Sequence, residues 1–364
     1  MPIVLDARTA TDHFPGIGRY VVNLAHALLS LAPDLDLRLL HDQTAHASRL
    51  ALPKLPITNL PISSFSLQQQ WIVPRQLREL KARLYHSPYY LMPYRPGVPT
   101  VLTAYDVIPL VYPQYYTVPQ RLIFRFAHAR ALKTAHVTLA ISEATKVDLV
   151  RQFGTRPDRI VVTPLAADPR FALQTTAAVQ TVREKYHLPE RYVLYVGSNK
   201  PHKNLARLIK AWLTAEGGMG NVELVIAGSW DERYPEAKRL AEGHARVHFL
   251  GSIDDADLPA LYASALAFAF VSEYEGFGLP PLEAMACGTP VLASNTSSLP
   301  EVIGDAGLLV DPHEIDAIAA ALERIITDKN LRLDLKQRSL QRAAQFSWEQ
   351  TARLTLDVYR CLTG

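Results

Sequence analysis

The sequence predicts an α/β protein built from two doubly wound parallel-sheet domains. Short apolar, β-branched runs alternate with longer stretches of helical spacing along the whole chain, which is typical of βαβ units. The alternation breaks off near residue 164 and starts afresh near residue 192, and 364 residues suit two domains better than one. Ligands of such sheets bind beyond the carboxyl ends of the strands, so two domains facing each other predict a site in a central cleft.

Each predicted strand is an apolar run bounded by turn residues. In the first half the runs are Pro2–Asp6, Leu35–His41, Arg83–His86, Val98–Thr103, Val137–Ile141 and Arg159–Thr163. In the second half they are Tyr192–Gly197, Val222–Gly228, Arg246–Leu250, Ala265–Val271, Pro290–Ala293 and Gly307–Val310. We therefore expect an N-terminal domain over 1–170, a connection over 171–188, a C-terminal domain over 189–345 and a final helix over 346–364.

Composition narrows the class of protein. Apolar residues make up 48% of the chain and charged residues 20%, which are ordinary values for a globular protein. The longest apolar runs are far shorter than the roughly 20 residues that span a bilayer. The chain opens directly on a strand-like run, so we predict neither a signal peptide nor a transmembrane helix. Cys287 and Cys361 are far apart in the sequence, which fits a reducing compartment.

The net charge of +3 hides an asymmetry between the two halves. Residues 1–185 carry 21 Lys and Arg against 12 Asp and Glu, a net charge of +9, and residues 186–364 carry 17 against 23, a net charge of −6. A basic first half favours an anionic partner such as a lipid headgroup or a phosphorylated acceptor. Its arginines are not interleaved with aromatic residues, so we expect no nucleic acid. Scattered, solvated charge is the alternative.

The most informative segment is Ser272–Pro290, which leaves a buried strand, passes a Gly-x-Gly turn and enters a helix marked by two prolines. Amides at that turn can approach an anionic diphosphate. The candidates for binding a diphosphate in this way are Gly276, Phe277, Gly278 and Leu279. Glu275 precedes the turn, and we place Glu283 in the first helical turn. A carboxylate beside a diphosphate is unfavourable unless it accepts hydrogen bonds from sugar hydroxyls, and the alternative is a plain turn with a capping carboxylate.

Glu275, Glu283 and the seven residues between them resemble the double-glutamate signature of the retaining glycosyltransferases of the GT-B fold. That large family includes many mannosyl- and glucosyltransferases of cell-surface polysaccharide assembly. The resemblance implies a GT-B fold of two Rossmann-like domains, the first binding the acceptor and the second the nucleotide sugar. It also implies that Glu275 contacts donor-sugar hydroxyls beside the reacting carbon and that Glu283 binds the nucleotide ribose.

A second stretch, Tyr195–Asn204, is similar to the family segment in which an Arg-Lys pair clamps the donor diphosphate. Lys203 matches the lysine, whereas His202 stands where an arginine is commoner. A guanidinium is a permanent bidentate phosphate ligand and an imidazole is charged only part of the time, so Lys200 is a candidate for the missing charge. The resemblance also implies donor-binding roles for Gly197, Ser198 and Asn199. A solvated helix start is the alternative.

Gly16 and Gly18 follow the first predicted strand and precede a helical pattern. Because position 21 is a valine, the third glycine of a dinucleotide-binding fingerprint is missing, and a Rossmann cofactor site is disfavoured. The resemblance implies instead that this loop lies against the donor diphosphate, while a plain tight turn is the alternative. Two further segments resemble family elements: Val247–Ile253, with Gly251, resembles the strand end that contacts the nucleobase, and the segment from Phe346 resembles the helix that crosses back to the first domain.

Tyr105 and Asp106 end a strand of the first half and resemble the family's His-Asp segment. In many members a histidine there contacts the transferred sugar, but this sequence has Tyr105. The Tyr105 hydroxyl and the Asp106 carboxylate are therefore acceptor-side candidates, and the alternative is a strand-end tyrosine with a turn-forming aspartate.

Together these features predict a retaining, metal-independent hexosyltransferase, with Glu275, Lys203, Asp106 and Tyr105 as candidate catalytic residues. Its donor would be a nucleotide diphospho-sugar such as GDP-mannose or a UDP-sugar, with no metal and no other cofactor, and its acceptor a glycan or a lipid-linked glycan. We expect a cytoplasmic protein, and the basic first half favours peripheral association with the inner face of an anionic membrane. The alternatives are a nucleotide-sugar 2-epimerase and a catalytically silent sugar-nucleotide-binding protein.

Overall fold

The computed structural model describes residues 1–11, 15–42 and 52–364, and these divide into two compact units. The first unit combines Met1–Leu165 with Ser347–Gly364, and the second is Ala166–Phe346. The final helix therefore belongs to the first unit. The connection expected over 171–188 contains the helix Thr176–Lys185 and lies within the second unit.

The first unit is built on a parallel sheet with strand order β3-β2-β1-β4-β5-β6-β7. Its strands are β1 (Ile3–Asp6), β2 (Leu37–His41), β3 (Ile57–Asn59), β4 (Leu84–Ser87), β5 (Thr100–Ala104), β6 (Val137–Ala140) and β7 (Ile160–Val162). Its helices are α1 (Pro15–Leu31), α2 (Gln69–Glu79), α3 (Ile108–Val111), α4 (Val118–Thr134), α5 (Glu143–Phe153) and the last helix of the chain, α14 (Trp348–Thr363).

The second unit repeats this plan with strand order β10-β9-β8-β11-β12-β13, again with every pair parallel. Its strands are β8 (Tyr192–Val196), β9 (Glu223–Ala227), β10 (Val247–Gly251), β11 (Ala267–Phe270), β12 (Val291–Ser294) and β13 (Gly307–Val310). Its helices are α6 (Thr176–Lys185), α7 (Leu205–Ala215), α8 (Glu236–Ala241), α9 (Leu258–Ser264), α10 (Leu279–Ala286), α11 (Leu299–Ile303), α12 (Ile315–Thr327) and α13 (Lys329–Ala343).

The predicted fold class, two doubly wound parallel sheets, is confirmed. Every predicted strand is present, and the sequence missed only β3 among the described strands because three residues at a sheet edge leave no measurable periodicity. Strands in the middle of each sheet are largely buried, as in β11, where all four residues are apolar and buried because helices cover both faces of the sheet. No helix within the described ranges is long and apolar enough to cross a bilayer.

In both sheets the strand order reverses beside the first strand of the unit. The reversal falls between β1 and β4 in the first unit and between β8 and β11 in the second. Loops that leave the carboxyl ends of two such strands run to opposite faces of the sheet, and the gap between them is where ligands of doubly wound sheets bind. The two reversals therefore indicate where to look for a site in each unit.

Candidate functional site

In the second unit the two predicted donor-binding segments leave the strands that flank the reversal. The segment 197–204 follows β8, and the segment 271–278 follows β11. The backbone amide of Glu273 donates to the carbonyl oxygen of His202 at 2.8 Å, which ties the two loops together. The strand order thus brings together residues that are about 70 positions apart in the sequence.

Lys203 and Glu275 form an ion pair at this point. The Lys203 ammonium donates to both carboxylate oxygens of Glu275, at 2.7 and 2.9 Å, and lies 5.4 Å from the centre of the Phe270 ring. The side chains are 19% and 11% exposed, so the pair is shielded but open to solvent on one side. The predicted phosphate-binding cation and the predicted sugar-binding carboxylate therefore contact each other directly.

Asn204 fixes the position of Lys203. It adopts a left-handed conformation, with φ of 59°, directly before α7, and asparagine tolerates this conformation better than most residues. Its side-chain amide donates to the carbonyl oxygens of Val271 at 2.9 Å and Pro312 at 2.8 Å. From the sequence Asn204 was only the last residue of the segment Tyr195–Asn204, and its role in holding this loop in place was not predicted.

Two serines after β12 hold the backbone of Glu275. The hydroxyls of Ser297 and Ser298 both donate to the Glu275 carbonyl oxygen, at 2.6 and 2.9 Å, and Ser298 is also 2.5 Å from the carbonyl oxygen of Phe277. Ser297 itself adopts a positive φ of 56°. Neither serine was predicted as a site residue, although a run of Asn, Thr and Ser directly after a buried strand was a usable signal.

The turn before α10 requires glycine at Gly278. Its φ is 120°, and a Cβ there would lie 2.8 Å from a methyl carbon of Leu299. The helix starts at Leu279 with two prolines, which have no N–H, and the amide of Leu282 already donates to the Gly278 carbonyl oxygen. Of the first four helical residues only Leu279 can therefore offer an amide to a ligand, together with the amides of the turn itself.

Glu283 is the fifth residue of α10 and thus lies in the second helical turn, so its predicted place in the first turn was wrong. The helix begins at Leu279, one residue before the two prolines that marked its predicted start, so Glu283 lies one residue further into the helix. Glu283 is 6% exposed and accepts a hydrogen bond of 3.2 Å from the Tyr262 hydroxyl, so it is a buried, bonded side chain and not a helix cap.

His202 is 5% exposed and packs beneath the loop. Burial, together with the nearby charges of Lys203 and Lys200, lowers the pKa of His202 to about 3. The imidazole is therefore neutral near pH 7 and can offer an N–H but not a charge. The permanent positive charge at this site comes from Lys203, with Lys200 exposed at the start of the same turn.

A cavity of about 240 Å³ opens beyond the carboxyl ends of β8, β9 and β10. Three predicted donor-binding residues line it: Gly197, Asn199 and Gly251. The side-chain amide of Asn199 donates to the carbonyl oxygens of Asp231 at 2.8 Å and Tyr234 at 2.7 Å, so it shapes the cavity wall. Ser198 contributes its carbonyl oxygen, which accepts a 2.8 Å hydrogen bond from the Tyr195 hydroxyl.

The far wall of this cavity was not predicted. Trp230 packs edge-on against Phe249, with ring centres 5.6 Å apart, and the Lys238 ammonium lies 4.4 Å from the centre of the Trp230 ring. Gly228 also lines the cavity, and the position requires glycine because a Cβ there would overlap the Gly197 carbonyl oxygen. A Gly-Ser-Trp sequence directly after a strand was the available signal.

In the first unit, Gly16 and Gly18 lie in the first turn of α1, not in a loop before it. The predicted loop position was therefore wrong, because the helix begins at Pro15, a residue favoured in the first turn. Asp12–Phe14 of the same motif lie outside the described residues. A Cβ at Gly16 would meet nothing within 4 Å in the structure described here.

Tyr105 and Asp106 follow β5, also at a carboxyl end. The Tyr105 hydroxyl is buried, has no hydrogen-bond partner among the described residues, and packs edge-on against Tyr20 at 5.7 Å. Burial raises the pKa of Tyr105 well above its usual value, so the hydroxyl stays protonated. The Asp106 carboxylate accepts a hydrogen bond from the amide of Ile108 at 3.1 Å, which is a turn-forming contact.

The first unit also contains buried polar contacts that were not predicted from the sequence. The Arg8 guanidinium is paired with Asp6 through two hydrogen bonds of 2.9 and 2.6 Å, and the Tyr85 hydroxyl donates to the same carboxylate at 2.6 Å. Burial alone would raise the pKa of Asp6, but the Arg8 charge and the hydrogen bonds from Arg8 and Tyr85 lower it below its usual value.

A second buried group joins α14 to the sheet of the first unit. The two ring nitrogens of His86 contact the Tyr359 hydroxyl at 2.6 Å and the Thr103 hydroxyl at 2.7 Å, and the Tyr20 hydroxyl is 2.8 Å from Thr103. Burial lowers the pKa of His86 to about 3, so this group is neutral at pH 7. Among the residues in the described ranges, no group of three or more His, Cys, Asp or Glu is arranged to hold a metal ion.

Comparisons with known proteins agree with this geometry. A family model for glycosyl transferases group 1 matches residues 179–342, and a model for Glycosyltransferase Family 4 matches residues 15–171. O-antigen chain mannosyltransferase B of Escherichia coli is 34% identical to this chain, and the match covers 100% of both proteins. MMP alpha-(1->4)-mannosyltransferase of Mycolicibacterium hassiacum is 31% identical over 61% of this chain and 53% of its own.

Solved structures show the same fold. Sucrose-phosphate synthase from Thermosynechococcus elongatus superposes with a TM-score of 0.78 at 24% identity, covering 100% of this chain and 99% of that one. HepE from Anabaena, in complex with UDP-glucose, superposes with a TM-score of 0.77 at 18% identity, covering 100% of both chains. The expected GT-B fold is thereby confirmed.

Proposed function

Because this chain belongs to the glycosyl transferases group 1 family and is a glycosyltransferase, we propose that it moves a hexose from a nucleotide diphospho-sugar to a glycan or lipid-linked acceptor. The observation that carries the proposal is the Lys203–Glu275 ion pair at the strand-order reversal of the second unit. Several relatives are named mannosyltransferases, which favours a mannosyl donor such as GDP-mannose over a glucosyl donor.

Donor binding would exchange one partner of that ion pair for another. A diphosphate carries more negative charge than a carboxylate, so it would draw the Lys203 ammonium away from Glu275. The freed Glu275 carboxylate could then accept hydrogen bonds from hydroxyls of the donor sugar. The pair therefore holds both side chains in position before the donor arrives and leaves neither charge unpaired.

We propose further donor contacts for the other predicted site residues of the second unit. The amides of Gly276 to Leu279 would bind the diphosphate with Lys203, and His202 would add a neutral N–H. We assign the nucleobase to the 240 Å³ cavity lined by Trp230 and Gly251, and the ribose to Glu283.

The proposed chemistry retains the configuration at the anomeric carbon and needs no metal ion. The bond between that carbon and the diphosphate oxygen breaks as the acceptor hydroxyl attacks from the same face. The departing diphosphate oxygen takes the proton of the hydroxyl, so no separate base is required. Lys203 and the turn amides stabilise the negative charge that develops on the diphosphate, which is usually the largest catalytic contribution.

On the acceptor side the Asp106 carboxylate is the better candidate of the two predicted residues. The Tyr105 hydroxyl is buried and stays protonated, so we assign its ring a packing role. A lipid-linked acceptor would bring the protein to a membrane, and the net charge of +9 in residues 1–185 suits an anionic surface.

A donor screen tests this function. Purified protein is incubated with GDP-mannose, UDP-glucose and related nucleotide sugars, and melting temperature is recorded for each. The stabilising donor is then given with and without a mannose-containing oligosaccharide acceptor. Acceptor-dependent release of nucleoside diphosphate, with the product in the donor's anomeric configuration, supports the proposal. An epimerised donor without acceptor would instead identify a 2-epimerase, and tight binding with no turnover a silent binding protein.

A further inference from the structure

Helix α4 exposes an apolar stripe that is unusual for a helix at a protein surface. Val118, Leu122 and Phe126, four residues apart, are 57%, 62% and 62% exposed, and Ile123 beside them is 65% exposed. The opposite side of the helix carries the buried residues Phe124, Ala127, His128, Ala131 and Leu132. The stripe is thus separate from the face that packs on the sheet.

The same outer face becomes basic towards the end of the helix. Arg130 continues the four-residue spacing of Leu122 and Phe126, and Lys133 follows three residues later. The Arg130 guanidinium lies 5.6 Å from the centre of the Phe126 ring, so the apolar and basic parts touch. The sequence of α4 contains four Arg and Lys and no acidic residue.

A cavity of about 550 Å³ adjoins this basic end. Arg95, Arg130, Lys133 and His136 line it, and none of its lining residues is acidic. The Thr100 amide donates to Nδ1 of His136 at 3.1 Å, which leaves Nε2 as the protonated nitrogen of the neutral ring. The cavity therefore offers three permanent cations and one N–H donor, a set that suits a phosphate group.

This cavity is not part of the predicted donor or acceptor site. It lies at the amino ends of β5 and β6, whereas Tyr105 and Asp106 follow the carboxyl end of β5. A five-residue strand separates the two edges by roughly 16 Å. A ligand of this cavity would therefore be distinct from the donor and from the acceptor.

We propose that this cavity binds the phosphate of an anionic phospholipid headgroup. Leu122, Ile123 and Phe126 then insert into the boundary between the headgroups and the acyl chains of the same membrane. A phosphate beside exposed apolar side chains is the chemistry of a bilayer surface, and a free phosphate would leave the apolar stripe in water. The inference rests on the membrane contact proposed above and gives it a location. The apolar stripe of α4 and the basic cavity together hold the first unit at the membrane.

Vesicle flotation with the full chain tests the proposal. We expect binding to phosphatidylcholine vesicles that contain phosphatidylglycerol, weaker binding as NaCl rises, and little binding to phosphatidylcholine alone. Arg130→Gln with Lys133→Gln should weaken binding roughly 30-fold, since each basic residue near such a surface contributes about fivefold. Leu122→Ser with Phe126→Ser should weaken it about tenfold or more, because apolar insertion is lost.

The matched control is Arg151→Gln with Arg159→Gln, which removes the same charge from exposed positions of the same unit outside the cavity. It should change vesicle binding less than about threefold. Equal losses in the control and in the Arg130, Lys133 variant would overturn the proposal, because only net charge would then matter. Stabilisation by inorganic phosphate without vesicle binding would overturn it too. Donor-induced melting shifts, measured without vesicles, report on the proposed function separately.

Discussion

The carboxyl edges of the two sheets hold ionisable side chains in contrasting states. In the second unit Lys203 and Glu275 form one partly exposed ion pair with little else bonded to the ammonium. In the first unit Asp6 and Arg8 are both 4% exposed, His86 is fully buried, and their contacts are with other buried groups.

This contrast separates two uses of the same position in the same kind of fold. Buried polar groups that satisfy one another stabilise a structure and resist change, because any unpaired member costs its full desolvation. A shielded but accessible ion pair can exchange partners. The Lys203–Glu275 pair of the second unit is of this exchangeable kind, as the proposed donor binding requires, whereas the buried contacts of the first unit hold strands together and join His86 to α14.

The largest effect is expected from breaking the network in the first unit. Asp6→Asn leaves the buried Arg8 guanidinium without its charge partner and should cost about 3–5 kcal/mol of unfolding free energy, measured by urea denaturation. Asp6→Asn combined with Arg8→Met should recover most of this, since no buried charge remains. A cost below about 1 kcal/mol for the single variant would show that this pair does not hold the sheet.

The next largest effect concerns the second unit and activity. Lys203→Met and Glu275→Gln should each lower the rate of transfer roughly 10²–10³-fold, because the charge that stabilises the leaving diphosphate or contacts the sugar is lost. Melting curves should show each variant folded at the assay temperature. The neighbouring Arg207–Glu273 ion pair provides the control.

That control is Arg207→Met, which breaks the Arg207–Glu273 ion pair of 2.5 Å next to the same loop. We expect it to change the transfer rate less than about tenfold, since Arg207 contacts Glu273 and the Asn204 side-chain oxygen rather than Lys203 or Glu275, and Asn204 keeps its own bonds to two carbonyl oxygens. A Lys203→Met enzyme with nearly normal turnover, or an Arg207→Met enzyme as inactive as Lys203→Met, would remove the distinction between these two pairs.

The smallest expected effect is a pH dependence of stability. Burial lowers the pKa of His128 to about 3, so below its unfolded pKa near 6.5 the unfolded chain binds a proton that the folded chain does not. This histidine's contribution is therefore complete above pH 6.5 and is lost as the pH falls towards 3. At pH 5.5 the loss is about 1.4 kcal/mol. His128→Phe should remove this part of the slope.

Phe153→Leu is the matched variant for that test. Phe153 stacks on His128 with ring centres 5.5 Å apart and does not titrate. Phe153→Leu should lower the free energy of unfolding equally at pH 7.5 and pH 5.5, so its dependence on pH should match that of the wild type. A slope unchanged by His128→Phe would mean that the buried ring takes up its proton in the folded state after all.

The sequence alone determined the two-sheet architecture, and all but one of the described strands, because alternating strands and helices are encoded by local periodicity. It also located the Glu275–Glu283 and Gly197–Lys203 segments, since each is a continuous strand, turn and helix. The errors of the sequence-based prediction concerned the first residues of helices. Gly16, Gly18 and Glu283 were misplaced because the first residue of a helix depends on a turn or two of backbone that the pattern does not resolve.

Only the tertiary structure decided which side chains meet. Lys203 and Glu275 are 72 residues apart, and His86 and Tyr359 are 273 apart. Their contacts depend on which strands become neighbours, and the order of strands in a sheet is set by packing of the whole unit. The pKa of His202 likewise follows from its burial and from Lys203 and Lys200, so its neutral state could not be read from its place in the sequence.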